Sequence, residues 1–320
     1  PVEHTLDAVN IADRYDAEAV KARLAMMTPE NARIWYISPN EPHNKTAYFV
    51  DAPYQVDKIS AQTFADWQKK AGEIALKLPE LNPYIPDDFS LIKTTKDYPH
   101  PALIIDEPTL RVVYTPSRYF ASEPKADVSV VLRNPKAMNS AKNQVMFALN
   151  DYLAGIALDQ LSNQAAVGGI SFSTNANNGL MLNANGYTQR LPQLFQALLE
   201  GYFSYTPTEE QLEQAKSWYA QMMDSAEKGK AYDMALMPAQ MLSQVPYFQR
   251  EDRRALLPSI TLKDVLAYRD GLKTNTRPEF LIVGNMSEDQ AKTLAENVRT
   301  QLGSKGDEWC RNQDVLVEKK

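Results

Sequence analysis

Hydrophobic residues along the chain follow two spacings, and the switches between them mark its elements. Over residues 16–27, DAEAVKARLAMM, apolar positions recur every three or four residues, predicting a helix with Asp16 as its N-cap. ARIWYIS at 32–38 is rich in β-branched and aromatic residues and predicts a strand ending at Pro39. The polar loop NEPHNK at 40–45 follows, and TAYFVDAPY at 46–54 predicts a second strand or extended segment. SAQTFADWQKKAGEIALKL at 60–78 returns to helical spacing, with Ser60 as cap. Residues 79–101 break both patterns. Five prolines, at 79, 83, 86, 99 and 101, leave no helical period, and the segment reads as a linker or extended crossing.

Beyond it the pattern is strand-rich: ALIIDE (102–107), LRVVYTP (110–116) and ADVSVVLRN (126–134) predict three strands joined by turn residues. A long helix opened by Asn139 or Ser140 follows, with Leu149, Tyr152, Leu153, Ile156, Ala157 and Leu161 on one face. VGGISFSTNANNGLMLNANGY at 167–187 then alternates apolar and polar residues in two arms around NANNG, whose Asn and Gly tolerate positive φ. This predicts a hairpin with Ile170, Phe172, Leu180, Leu182 and Ala184 on a dry face and Ser171, Ser173, Asn183 and Asn185 on a wet one. Helices are predicted at 191–203, at 208–229 with Thr208 and Gln211 as a capping box, and at about 231–244 and 261–272. A strand at 279–285 and a helix from Ser287 to Leu302 complete the order. The expected class is α+β, an antiparallel sheet with helices packed on one side.

Composition narrows the chemistry. The 320 residues carry a net charge of −6 with the two signs interspersed, so neither nucleic acid nor an anionic membrane is an expected partner. No apolar run reaches the roughly 18 residues a membrane span needs. The first residues, PVEHTLDAVN, lack an initiator Met and a signal-peptide pattern, which predicts a processed or excised piece of a longer protein. A single cysteine, Cys310, permits no intrachain disulfide and signals no compartment.

Metal ligands come next. The only histidines are His4, His43 and His100, none within a helical turn of another, so neither H-x-x-E-H nor H-E-x-x-H occurs. His43 and His100 sit beside prolines and read as surface loop residues. GGIS around Ser171 lacks the strand-to-helix setting of a nucleophile elbow, and no glycine-rich phosphate loop is present. Glu209, Glu210, Glu213, Asp224 and Glu227 read as a solvated helix face, and Phe195, Tyr202, Phe203 and Tyr205 as core. The wet hairpin face offers strand addition to an extended peptide. No residue is assigned as catalytic, cofactor-binding or metal-binding.

Several stretches carry a resemblance: TPENARIWYISPNEPHNKTAYFVDAPYQVDKIS, LPELNPYIPDDFSLI, SRYFASEPKADVSVVLRNPKAMNSAKNQVMFALNDYLAG, GGISFSTNANNGLMLNANGYTQRLPQLFQALLEGYF and RPEFLIVGNMSEDQA. With these the chain resembles, end to end, the pitrilysin and insulin-degrading-enzyme family of zinc metallopeptidases. Members hold four similar α+β domains in two halves around a peptide-holding chamber. The resemblance implies an internal fragment: residues 1–78 the end of domain two, 79–101 the linker between halves, 102–306 a catalytically inactive domain three, and 307–320 the start of domain four. The family's H-x-x-E-H zinc motif lies on the helix before the corresponding hairpin of domain one. Here that place holds FALNDYLAG, with Asn150 and Asp151 and no histidine, so the zinc implied for the parent would be held outside this chain. In that parent, metal-activated water attacks the scissile carbonyl with the motif's glutamate as base. Implied partners are peptide substrates and the parent's catalytic half and domain four; the implied location is periplasmic. The alternative is an inert peptide-binding or scaffold protein on the same fold.

Overall fold

The computed structural model describes residues 15–303, apart from positions 76, 79, 94, 95, 135, 177, 178, 231, 233, 234, 236–246 and 275. The chain divides into two compact units, residues 1–80 and 81–320.

In the first unit, α1 (Ala17–Ala25) starts where the carboxylate of Asp16 accepts the Ala19 N–H at 2.9 Å. A two-residue ladder joins β1 (Lys45–Thr46) to β2 (Pro53–Tyr54), antiparallel, around a turn that holds Phe49 and Asp51 at positive φ. Helix α2 (Ala61–Glu73) is capped by Ser60 but stops before the expected 78, because Ile74 turns to extended backbone. The strand expected at 32–38 does not form: no described segment pairs with it, and Ile34, Trp35, Tyr36 and Ile37 are exposed. Neither helix buries a residue.

The second unit is built on a six-stranded sheet in the order β3–β4–β8–β5–β7–β6. Its strands are β3 (Ala102–Glu107), β4 (Leu110–Thr115), β5 (Lys125–Arg133), β6 (Ile170–Ala176), β7 (Gly179–Tyr187) and β8 (Arg277–Gly284). The sheet is mixed, correcting the antiparallel expectation: β8 runs parallel to β4 and antiparallel to β5. Since β4 and β5 point in opposite directions, a strand inserted between them must be parallel to one. Alternation places Leu110, Val112, Tyr114, Val128, Val130, Leu132, Leu180, Leu182, Ala184 and Ile282 on one buried face. The dry and wet arms of β6 and β7 follow the predicted pattern, paired from Ile170↔Gly186 to Ala176↔Leu180. Gly186, at φ 132°, lets β7 pass close to β6: a Cβ there would lie 2.5 Å from the carbonyl oxygen of Gly169.

Over the buried face lie α3 (Ala141–Val167), α4 (Leu191–Ser204), α5 (Glu209–Glu227), α6 (Arg250–Leu256), α7 (Leu262–Thr274) and α8 (Glu288–Leu302). Ser140 caps α3, and the boxes Thr208/Gln211 and Ser287/Gln290 open α5 and α8. The buried face of α3 is rotated from the expected stripe. Leu149 and Leu153 are buried, but so are Asn150, Ala154 and Leu158, while Ile156 and Ala157 face solvent. The reason is that α3 packs against α4, α5, α6, α7 and β6 at once, so no single stripe describes it. Helix α6 was not foreseen, since REDRRAL has no apolar period; the helix expected at 231–244 falls largely outside the described residues.

Residues 81–101 cross this unit without a regular element, as their prolines suggest, yet their backbone is well partnered. Asn82 donates to the Gln164 carbonyl at 2.8 Å, and Gln189 Oε1 accepts the N–H groups of Asp87 and Asp88. Asn285 clamps the middle, accepting from Ile92 N at 2.8 Å and donating to the Ser90 carbonyl at 2.9 Å. Gly168 admits the crossing: a Cβ there would sit 2.3 Å from the Tyr84 carbonyl oxygen. Tyr98 closes the far end, edge-on to Tyr114 and donating to Glu288 at 2.6 Å.

Candidate functional site

The middle of α3, where the resemblance would look for metal ligands, holds a buried polar chain. Asn150 has no exposed surface, and the helix that carries it packs against α4 and β6 among others. Its amide nitrogen donates to Tyr202 Oη at 3.0 Å, and its amide oxygen accepts from Tyr205 Oη at 2.7 Å. Tyr202 Oη in turn donates to Asp151 Oδ1 at 3.2 Å, and Thr174 of β6 also bonds that carboxylate. Protons therefore point one way, from Tyr205 through Asn150 and Tyr202 to Asp151, an order in which each bond polarises the next. Arg269 of α7 closes the outer end, donating to the Tyr205 carbonyl at 2.7 Å with its guanidinium over the ring.

Burial sets the titration of this group. Asp151 is raised above the usual carboxylate range by desolvation, only partly opposed by the bonds from Thr174 and Tyr202. Desolvation, then the neighbouring Asp151 charge, raises Tyr202 well above an ordinary phenol. Tyr205 is raised by burial, with Arg269 opposing. Both side-chain polar atoms of Asn150 are hydrogen-bonded within the protein.

Zinc does not fit these residues. The amide oxygen of Asn150 already accepts from Tyr205 and its nitrogen donates to Tyr202, and His43 and His100 are exposed in separate units. Among the described residues, no group of three or more His, Cys, Asp or Glu could hold a metal. His4 and Cys310 lie outside the described residues.

The other sequence candidates are scattered. Ser171 is exposed and donates to Asn185 Oδ1 at 3.0 Å, a contact between neighbouring strands. Glu209, Glu210 and Glu213 face solvent on α5, and Asp224 is ion-paired with Arg254, which lowers its pKa. Phe195, Tyr202, Phe203 and Tyr205 are buried, as read. The partnership of Asn150 with Tyr202 and Tyr205 was missed; its one signal was an Asn within an apolar helix followed by two tyrosines at core spacing.

Beyond the cluster, the opposite face of the sheet grades from largely apolar at β4 and β8 to polar at β5, β7 and β6, the acidic Asp127 included. One row runs Val113, Leu281, Ser129, Asn183, Ser173 across β4, β8, β5, β7 and β6, and the next runs Thr115, Val283, Asp127, Asn185, Ser171. An edge strand, β6, borders the polar end.

Together, a mixed sheet with helices on one face and a hydrogen-bonded polar cluster within the long helix define an α+β domain. Residues 1–255 match the family described as "Middle or third domain of peptidase_M16", and the chain belongs to that family. Two relatives are Protease 3 of Shigella flexneri, 83% identical, and Protease 3 of Escherichia coli strain K12, 82% identical; each match covers all of this chain and 33% of the relative. The solved structure of pitrilysin superposes with a TM-score of 0.82 at 82% identity, over the whole of this chain and 34% of that one. A plant protein, Insulin-degrading enzyme-like 2 of Arabidopsis thaliana, is 22% identical over 97% of this chain. The chain thus spans about a third of the length of the curated relatives it matches.

Proposed function

We propose that the chain is the non-catalytic middle portion of a zinc metalloendopeptidase, and that it forms part of the wall of a peptide-enclosing chamber. The observation that carries this is the first unit, whose helices bury nothing while Trp35, Tyr36, Ile37, Tyr48 and Phe49 stand exposed. Apolar surface on that scale needs further chain to cover it. In this reading residues 1–78 end one domain, 79–101 join the two halves, 102–306 form the inactive third domain, and 307–320 begin a fourth. Zinc belongs to the parent and is held by residues outside this chain. The parent hydrolyses peptide bonds in peptides and small proteins within the periplasm, and the wall contributes confinement that selects substrates by size.

The test is cleavage of a quenched fluorescent peptide in zinc-containing buffer by this chain, by the separately expressed remainder of the parent, and by the mixture. Activity that rises on mixing supports the wall. No cleavage by this chain and no gain on mixing favours an inert scaffold, and cleavage by this chain alone overturns the reading.

A further inference from the structure

A shallow groove of about 480 Å³ runs between the outer faces of α3 and α5, away from the buried cluster. Its lining includes Trp218 stacked on the ring of Tyr152, with centroids 4.9 Å apart and planes 32° from parallel, so each ring covers one face of the other. Trp218 remains 39% exposed, and Ile156 and Met222 beside it on the same two helices are exposed as well. Glu210 and Glu213 stand at one side of the groove, with the amides of Gln214 and Gln221 along it. Glu213 holds Lys216 at 2.8 Å, whereas Glu210 makes no ion pair or hydrogen bond among the described residues. No Lys or Arg lines the groove.

A flat π-surface next to an unpaired carboxylate fits a particular chemistry. A guanidinium stacks on the face of Trp or Tyr while its edge N–H groups bond a carboxylate in a fixed fork; an ammonium cannot do both in one plane. We propose that this groove binds an arginine side chain presented by an extended peptide, the guanidinium lying on the exposed part of Trp218, which Tyr152 backs, and donating to Glu210, with the backbone held by Gln214 and Gln221. The occupant is a peptide in trans, a substrate of the parent. That source rests on the chamber-wall reading, but the binding does not need hydrolysis, so a failed mixing assay leaves it standing.

The test is calorimetric titration of the 320-residue chain with a short blocked peptide containing two arginines in a glycine–serine frame. The matched lysine and glutamate peptides are run alongside, at low and at high salt. The arginine peptide is expected to bind, the lysine peptide several-fold more weakly, and the glutamate peptide not at all. Glu210→Gln with Glu213→Gln is expected to weaken binding roughly ten-fold, and Trp218→Leu roughly five-fold. Asp289→Asn with Glu296→Gln, an equal charge change on α8, leaves binding unchanged. Equal affinity for the arginine and lysine peptides overturns the stacked geometry. Equal loss in the groove and α8 variants reveals diffuse attraction to an acidic chain and overturns the site, as does absence of binding by the unaltered chain. The carboxylates are solvent-facing, so their variants fold, and far-UV circular dichroism of Trp218→Leu separates lost binding from lost structure.

Discussion

The polar chain on α3 makes a quantitative prediction about coupling. Removing the Tyr205 hydroxyl with Tyr205→Phe leaves the fully buried Asn150 Oδ1 without a donor, a loss of about 1–3 kcal/mol. Asn150→Leu strips the acceptor from Tyr205 and the incoming donor from Tyr202. Tyr202 keeps Asp151 as its acceptor at 3.2 Å, so one buried hydroxyl is orphaned. With some overpacking from the branched side chain, the expected cost is about 2–4 kcal/mol. In the double variant both partners are apolar and no orphan remains, so adding Tyr205→Phe to Asn150→Leu should cost nothing further. The double-mutant cycle should therefore show coupling of at least about 1 kcal/mol. Thermal unfolding followed by circular dichroism reads this directly, since a domain of this size shifts by roughly 2–4 °C per kcal/mol. Two additive costs, or an Asn150→Leu variant as stable as the original, would refute the claim that Asn150 is there to be bonded.

Three further outcomes are expected. Because burial raises the Asp151 pKa in the folded state, the folded chain binds its proton more tightly than the unfolded chain. Stability is then fully present below the ordinary aspartate range and falls as pH rises toward the raised value; Asp151→Asn should remove that fall and stabilise at neutral pH, as read by urea midpoints from pH 4 to 8. Glu288 behaves oppositely: bonds from Lys292, Tyr98 and Lys96 hold it at about 2. Its contribution is present above the ordinary glutamate value and is lost as pH falls toward 2, so Glu288→Gln should flatten the acid limb of urea midpoints extended down to about pH 2. Asn285→Ala frees the Ser90 carbonyl and the Ile92 N–H, and should cost about 1–3 kcal/mol and expose residues 86–96 to faster limited proteolysis, measured by mass spectrometry of the fragments.

Where one face of an element is buried and the other wet, the sequence made the element readable. The strands β3 to β8 and the caps at Ser60, Ser140, Thr208 and Ser287 were legible for that reason, because alternation and capping are local. Tertiary context decided the rest. ARIWYIS has strand-forming residues but no strand beside it, and a ladder cannot be made alone. The parallel pairing of β4 with β8 joins residues about 170 positions apart, beyond any local signal. The buried face of α3 depends on five neighbours, so a single-stripe rule chose Ile156 over Leu158. The proline-rich crossing was legible as irregular, but its clamp was not, since Asn285 lies about 190 residues away.

The same long-range character explains why α3 can carry polar residues without chemistry. A helix turn facing a sheet on one side and a second helix on the other is cut off from water, so any polar atom placed there must be satisfied by something fixed. A bound metal is one solution and a closed set of protein hydrogen bonds is another. Asn150 follows the second, using hydroxyls from Tyr202 on the neighbouring α4 and from Tyr205 at its C-cap. Those two rings are large, fully or nearly fully buried, and occupy the space beside the turn. The asparagine and the tyrosines therefore form one unit: exchanging Asn150 alone for a metal ligand would leave the rings in place and the Tyr205 hydroxyl in need of a partner, while Tyr202 keeps Asp151. A domain built this way is held together through hydrogen bonds in the interior between its long helix and the next.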